Sequence, residues 1–346
     1  MKISEIITRM CEESGQICFG KPIEPATTRD KLLYGDPDQE CTGIAISCFA
    51  SVEVIRQAAR KGCNLIVAHE SLFWNHGDHI DWLEQNTAFQ KKKQLLDRYG
   101  ICVWRNHDHL HAGIPAEGAM RDGIFYGVST LLGWNPYNLD PHATLPQEFL
   151  IPECTVEEMT AHLLRCFRLN GVRFIGNPAA KIQHVLIPLH IMGRPSDRDL
   201  IDRINRDDIH CLLTMEMVDF TVCEYLRDAA MAGENRCIFA IGHFNLEELG
   251  MEYYVRHLSD LLNHRVPVTF IQSGDSYGYL PASGQEVCSF PKVNQFLSLR
   301  FDATQTAGRF FEPTGCFSVS SVAKIRRGKT FWLPDLFMAC HKTKSS

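Results

Sequence analysis

The stretch that most constrains this chain is Cys63–Trp74, CNLIVAHESLFW. Leu65, Ile66 and Val67 form a short unbroken apolar run, and His69 and Glu70 follow with no room for a linker. A run of that length with no polar alternation reads as a strand buried on both faces, the pattern of a parallel sheet covered by helices. In open α/β sheets, ligands gather beyond the carboxyl ends of such strands. His69 and Glu70 would then stand at a sheet rim, aimed into a crevice. The plainer alternative is a rim histidine satisfied by its neighbours beside a solvated glutamate, and the rest of the chain has to decide between them.

The remaining pattern repeats that grammar. Apolar spacing predicts a helix over Ile3–Glu13, a strand over Thr42–Phe49 and a helix over Ser51–Lys61 with a serine cap and a glycine stop. A long helix is expected over Asp81–Tyr99, a strand over Ile101–Trp104, and a helix opened by Pro115 and running to Leu132. Beyond the Pro-, Asn- and Asp-rich segment Asn135–Glu148, a candidate hinge, Thr155 and Glu158 have capping-box spacing and start a helix to about Leu169. Strands over Val172–Ile175, His184–Pro188, His210–Thr214 and Cys237–Ile241 then alternate with helices over Ser196–Asn205 and Val218–Ala232. This argues for an α/β protein of two halves with mixed, largely parallel sheets. The expected divisions are 1–134, 135–280 and a C-terminal extension, 281–346, in which Leu297–Thr304 and part of CFSVSSV alternate like strands. Phe310, Phe311, Phe331 and Trp332 in that extension are expected to pack on the body or at a subunit interface.

Composition narrows the setting. The 346 residues carry a formal net charge of −6, which gives no general attraction to nucleic acid. No apolar stretch reaches spanning length, so no membrane insertion is expected. The 14 cysteines have no Cys-x-x-Cys pair and no regular spacing, and several, such as Cys48, Cys166 and Cys223, lie in apolar stretches. That usage suits small buried hydrophobes in a reducing, cytoplasmic protein rather than a disulfide framework or thiolate zinc site.

Three clusters carry chemistry. They are His69-Glu70; NHDHLH (Asn106–His111), with His107, His109 and His111 on alternate positions beside Asp108; and GHFNLE (Gly242–Glu247), with His243 and Glu247 four residues apart. On a helix that last spacing puts both side chains on one face. Each cluster follows an expected strand, so one sheet edge could gather all three around metal. Imidazole and carboxylate without thiolate suits Zn, Fe, Mn or Ni. His-rich loops and His–Glu pairs also arise by chance, and it is their joint placement that favours metal.

These motifs, in this order, resemble the Nif-three-like dinuclear metal-centre proteins, also described as GTP cyclohydrolase I type 2 homologues. LIVAHESLFW is similar to the family's LI-x-x-HHP-LF, His107–His111 to its His-Thr-Asn-Leu-Asp, and Gly242–Glu247 to its Gly-His-Tyr-x-x-Glu. Thr214-Met215-Glu216 looks like a Thr-Gly-Glu segment without its glycine, and DKLLYGD like an Asp-Asn-x-Gly-Leu box. The resemblance runs to about Leu280 and implies metal ligands at His69, Glu70, His111, His243 and Glu247. A family histidine is replaced by Glu70 and a family aspartate by His111, so the ligand count by type is kept. The resemblance further implies two divalent ions per chain, a site between the halves, and a homo-oligomer, a hexamer in the family. The activity expected is metal-dependent hydrolysis of a small-molecule nucleotide or phosphoester, with His107 or Asp108 as base. The alternative is a metal-binding regulatory or interaction protein without turnover.

Overall fold

The computed structural model describes residues 1–75 and 77–280. The expected strands within 297–322 and the four aromatic residues of the extension lie outside them. Met1–Pro281 is one compact unit built around two five-stranded sheets.

In the first sheet the order is Val268–Phe270, Ile44–Ser47, Leu65–Ala68, Cys102–Arg105 and Lys31–Tyr34. All pairings are parallel except the last. The Leu65–Ala68 strand is central and buried throughout. Alternate residues serve two cores: Leu65 and Val67 face one, Ile66 and Ala68 the other. The helix Val52–Arg60, capped by the Ser51 side chain, covers the second core with Thr87–Tyr99.

The second sheet runs Arg173–Gly176, Cys237–Ala240, Cys211–Thr214, Lys181–Leu186 and Glu148–Thr155. Its three inner strands are parallel, and both edge strands are antiparallel. Helices Ser196–Arg206 and Val222–Met231 cover one face. The other face shares a core with the first sheet, and the helix His243–Leu261 runs through that shared core. Leu246, Leu249, Met251, Tyr254 and Leu258 are buried there.

Strand register places the motifs. Ala68 is level with Arg105, so His69 and Asn106 leave neighbouring strands side by side. Thr214 is level with Ala240, so Glu216 and His243 do the same in the other sheet.

Two expected helices are different in the structure. The stretch opened by Pro115 is not helical: Ile114–Ala116 and Ala119–Arg121 form a hairpin, and the helix begins only at Phe125. Glu117 and Gly118, both at positive φ, make the tight turn that a hairpin of this twist needs. The apolar pattern from Asp81 is broken into a short 3-10 turn, Asp81–Leu83, and the helix Thr87–Tyr99, because the Asn86 side chain caps Phe89 N at 3.0 Å and starts a new helix. The capping box at Thr155 and Glu158 is formed, and it starts Val156–Phe167.

The helix Phe125–Leu131 crosses His243–Leu261 on two glycines. A Cβ on Gly250 would stand 2.5 Å from the backbone of Ile124, and one on Gly127 would stand 2.8 Å from Gly250 Cα. Backbone cannot yield there as a side chain can, so Gly250→Ala is expected to lower unfolding stability by about 1–3 kcal/mol, the usual cost of overpacking. Denaturant midpoints of wild type and variant measure it, and an unchanged midpoint would show that the helices separate at no cost.

Candidate metal centre

His69 is fully buried at the end of its strand. Its Nδ1 lies 3.1 Å from the backbone carbonyl of Asn106, which can only accept, so Nδ1 carries the proton and Nε2 faces inward with a free lone pair. His107 and His111 follow the same rule. The Nδ1 of His107 is 2.9 Å from Asp108 and that of His111 is 2.9 Å from Asp122. In each case a carboxylate or carbonyl behind the ring orients it and leaves the outer nitrogen for a ligand, as around metal-bound histidines. The three rings pack at centroid distances of 4.5, 4.8 and 5.0 Å.

The three alternate histidines of NHDHLH do not all face the cluster. Asp108–Ala112 is a short helix, so His107 and His111, four apart, share a face while His109 turns away to Asp30. Asp30 holds this turn. Its carboxylate accepts from the backbone N–H of His107, Asp108 and His109 as well as from the His109 ring. Burial alone would lower the His109 pKa, but the Asp30 partner overrides it and carries it up to about 10.

From the second sheet, Gly242 makes the turn from strand to helix at φ +98, a conformation glycine adopts without strain. His243 and Glu247 then lie on one helical face, with His243 Nε2 3.2 Å from Glu247 Oε2 and 3.2 Å from Glu70 Oε1. Glu247 Oε2 also lies 3.6 Å from His69 Nε2, so it touches both groups. Donor atoms of His69, His107 and His111 lie within 4.8 Å of one another, as do those of Glu70, His243 and Glu247 and those of His190, Glu216 and His243. All five residues expected as ligands are gathered here, with His107 among the imidazoles and Asp108 behind it, bonded also to Thr28 and Arg29. Glu70 and His111, the two departures from the family pattern, stand in different groups that meet through Glu247 and His69.

Two atoms test whether a cation fits. His69 Nε2 and Glu247 Oε2 are buried and make no hydrogen bond. Leaving such groups unsatisfied costs about 1–3 kcal/mol each, and both face the cluster with the lone pairs a metal takes. The charge pattern agrees. Burial opposes charge on His243, yet Glu216, Glu247 and Glu70 carry its pKa up to about 12. Burial raises Glu216, but His190 and His243 hold it at about 2. His69 is raised despite burial by the Glu247 charge, and Glu247 is held well below the carboxylate range by the histidines. Protons here occupy the positions that a divalent ion would compete for.

Two partners escaped the sequence reading, Asp122 and His190, while Asp30 and Glu216 appear there only inside the DKLLYGD and Thr-Met-Glu motifs, without a role in the site. His190 had a usable signal, a histidine just beyond an apolar strand, as did Asp122, an aspartate ahead of a helix. Its Oδ1 caps Ile124 N and Phe125 N while Oδ2 orients His111.

Fold and site together define a two-sheet α/β protein with a histidine–carboxylate cluster where the strand ends of both sheets meet. Residues 23–276 match the sequence profile of Duf34/NIF3 (NGG1p interacting factor 3), and the chain belongs to that family. It is 22% identical over 224 residues to a Clostridium acetobutylicum protein described as a GTP cyclohydrolase 1 type 2 homolog, a match spanning 62% of this chain and 76% of that one. The fold is similar to that of Staphylococcus aureus protein SA1388, with TM-score 0.57 and 17% identity over 81% of this chain and 99% of that one. It is equally similar to a Bacillus cereus protein related to NIF3, with TM-score 0.57 and 13% identity over 81% and 99% of the two chains. Among the described residues no helix is long and apolar enough to cross a membrane.

Asp122→Asn keeps the cap acceptor but removes the charge behind His111. Metal affinity, measured by competition with a chelator, is expected to fall about tenfold to a hundredfold while thermal stability changes little. Unchanged affinity would show that His111 does not bind metal.

Proposed function

We propose that this chain is a metal-dependent hydrolase with two divalent ions, acting on a nucleotide or phosphoester. The observation that carries the reading is the pair of buried, unbonded lone-pair atoms, His69 Nε2 and Glu247 Oε2, where the two ligand groups meet. His69 and His111 would hold one ion and Glu70 and His243 the other, with Glu247 between them. A divalent pair supplies Lewis-acid polarisation of a phosphoryl group and makes water a better nucleophile at neutral pH.

The chain's own residues would do the rest. Asp108 fixes the His107 tautomer, and burial with the neighbouring His69 lowers the His107 pKa, so its Nε2 is proton-free and ready to accept a proton at neutral pH. A cavity of about 530 Å³ opens beside Glu70 and His243, walled by Phe49, Trp74, Phe244 and Tyr277, which suits a ligand with a planar ring. The description of the C. acetobutylicum relative supports a nucleotide.

Full-length protein purified without chelator or affinity tag is expected to hold about two transition ions per chain, Zn, Fe, Mn or Ni. Glu247→Gln should remove most of both. His107→Gln should keep both ions and lose turnover of GTP or a generic phosphodiester; loss of an ion in that variant would make His107 a ligand. No metal after reconstitution with Zn, Mn and Fe would overturn the reading. Bound metal without turnover would leave a regulatory or interaction role.

Two further parts of the proposal concern setting. The free, buried thiols of Cys48, Cys211 and Cys223 suit a reducing, cytoplasmic compartment. Exposed Ile80, Trp82 and Phe220 support a homo-oligomer, and a monomer mass in light scattering at micromolar concentration would refute the hexamer.

A further inference from the structure

A second cavity, about 460 Å³, lies against the same cluster and is bounded by His107, His111, Glu216 and His243 on the metal side. Its wall also carries two arginines, Arg29 and Arg194, that no hydrolytic step above employs. They come from far apart in the chain, and each rises from backbone that is tied down. Arg29 N donates to Asp108 at 2.9 Å, and its carbonyl accepts from the buried Arg105. Arg194 sits in a turn closed by Asp197, which accepts from Gly193 N at 2.9 Å and from the Thr221 hydroxyl at 2.6 Å and donates its own N–H to Arg194 O.

The guanidinium groups themselves are little used. Arg29 reaches Asp108 only at 3.5 Å, and its side chain is half exposed. Among the described residues Arg194 has no side-chain hydrogen bond and no ion pair. Two anchored arginines with unspent donors, beside a centre that bound cations would make more positive, have the chemistry of an oxyanion seat.

We propose that Arg29 and Arg194, on the wall of this cavity, bind the phosphate group of the ligand and hold it against the metal cluster. A phosphate fits better than a carboxylate because its terminal oxygens can serve both guanidinium forks and still leave one facing the cluster. The inference rests on the hydrolase reading for the ligand's purpose, and on the two arginines alone for its binding.

Inorganic phosphate is the probe, titrated calorimetrically at fixed ionic strength into the full-length protein with and without metal. Arg29→Gln/Arg194→Gln should weaken phosphate binding by about tenfold or more, with metal content unchanged by elemental analysis. A charge control, Arg227→Gln/Arg256→Gln, removes two exposed arginines elsewhere and should leave phosphate affinity as in wild type. Equal loss in both double variants, or no loss in the first, would overturn the proposal. A chain that takes up no metal yet binds phosphate through these arginines would refute the hydrolase reading and leave the anion seat standing. Turnover that survives without the arginine effect would do the reverse.

Discussion

Glu247 carries a charge in the worst place for one, nearly sealed between two sheets on a helix whose Leu246, Leu249, Met251 and Tyr254 belong to the core. A buried carboxylate survives there only if compensating charge is brought to it. The first sheet supplies His69 from the strand end directly opposite, and the helix's own first residue, His243, supplies the second contact. Much of the architecture serves that meeting. The two sheets share one core, and the Gly127–Gly250 crossing seats the helix close against its neighbour. Parallel register brings His69 and Asn106 out together on one side and Glu216 and His243 on the other.

Much of this was legible because the signal was local. Leu65–Val67 could be read as a buried strand from three residues, and the His243–Glu247 spacing needed only a helix to become a face. The failures came where local signal was outvoted. Pro115 looked like a helix start, but Gly118 beside Glu117 favours the hairpin turn, which the pairing of Ile114 with Arg121 then locks. In NHDHLH the sequence leaves the local conformation of the three alternate histidines open. Asp30, nearly eighty residues earlier, gathers three backbone amides and winds the segment into a helical turn. No window along the sequence contains both ends of that interaction. The same is true of Glu216 between His190 and His243.

The two departures from the family pattern gain a physical sense from where they fall. His111 joins His69 and His107, so that group is imidazole throughout, and Glu70 joins Glu247 beside a single histidine. Because the two positions stand in different groups, the exchange moves a carboxylate from the imidazole group to the other and keeps only the charge of the cluster as a whole. As it stands, the acidic side chains are concentrated on the side nearer His243, whose pKa they raise to about 12. The imidazole side has its carboxylates, Asp108 and Asp122, one step back, where they orient rings rather than face the centre.

That sorting bears on what the proposed centre would hold. The His69 and His111 imidazoles would favour borderline ions such as Zn, Fe or Ni, while the Glu70 and Glu247 carboxylates with His243 would also accommodate the harder Mn. A centre with both kinds of seat would discriminate between two ions by ligand chemistry alone, before geometry is considered. Glu247, in contact with His69 and His243 at once, is the residue through which filling one seat would alter the other. A cation held at the imidazole seat would neutralise part of the Glu247 charge and weaken its hold on His243. The second seat would then open more readily, and the buried Glu247 charge would couple the two proposed ions.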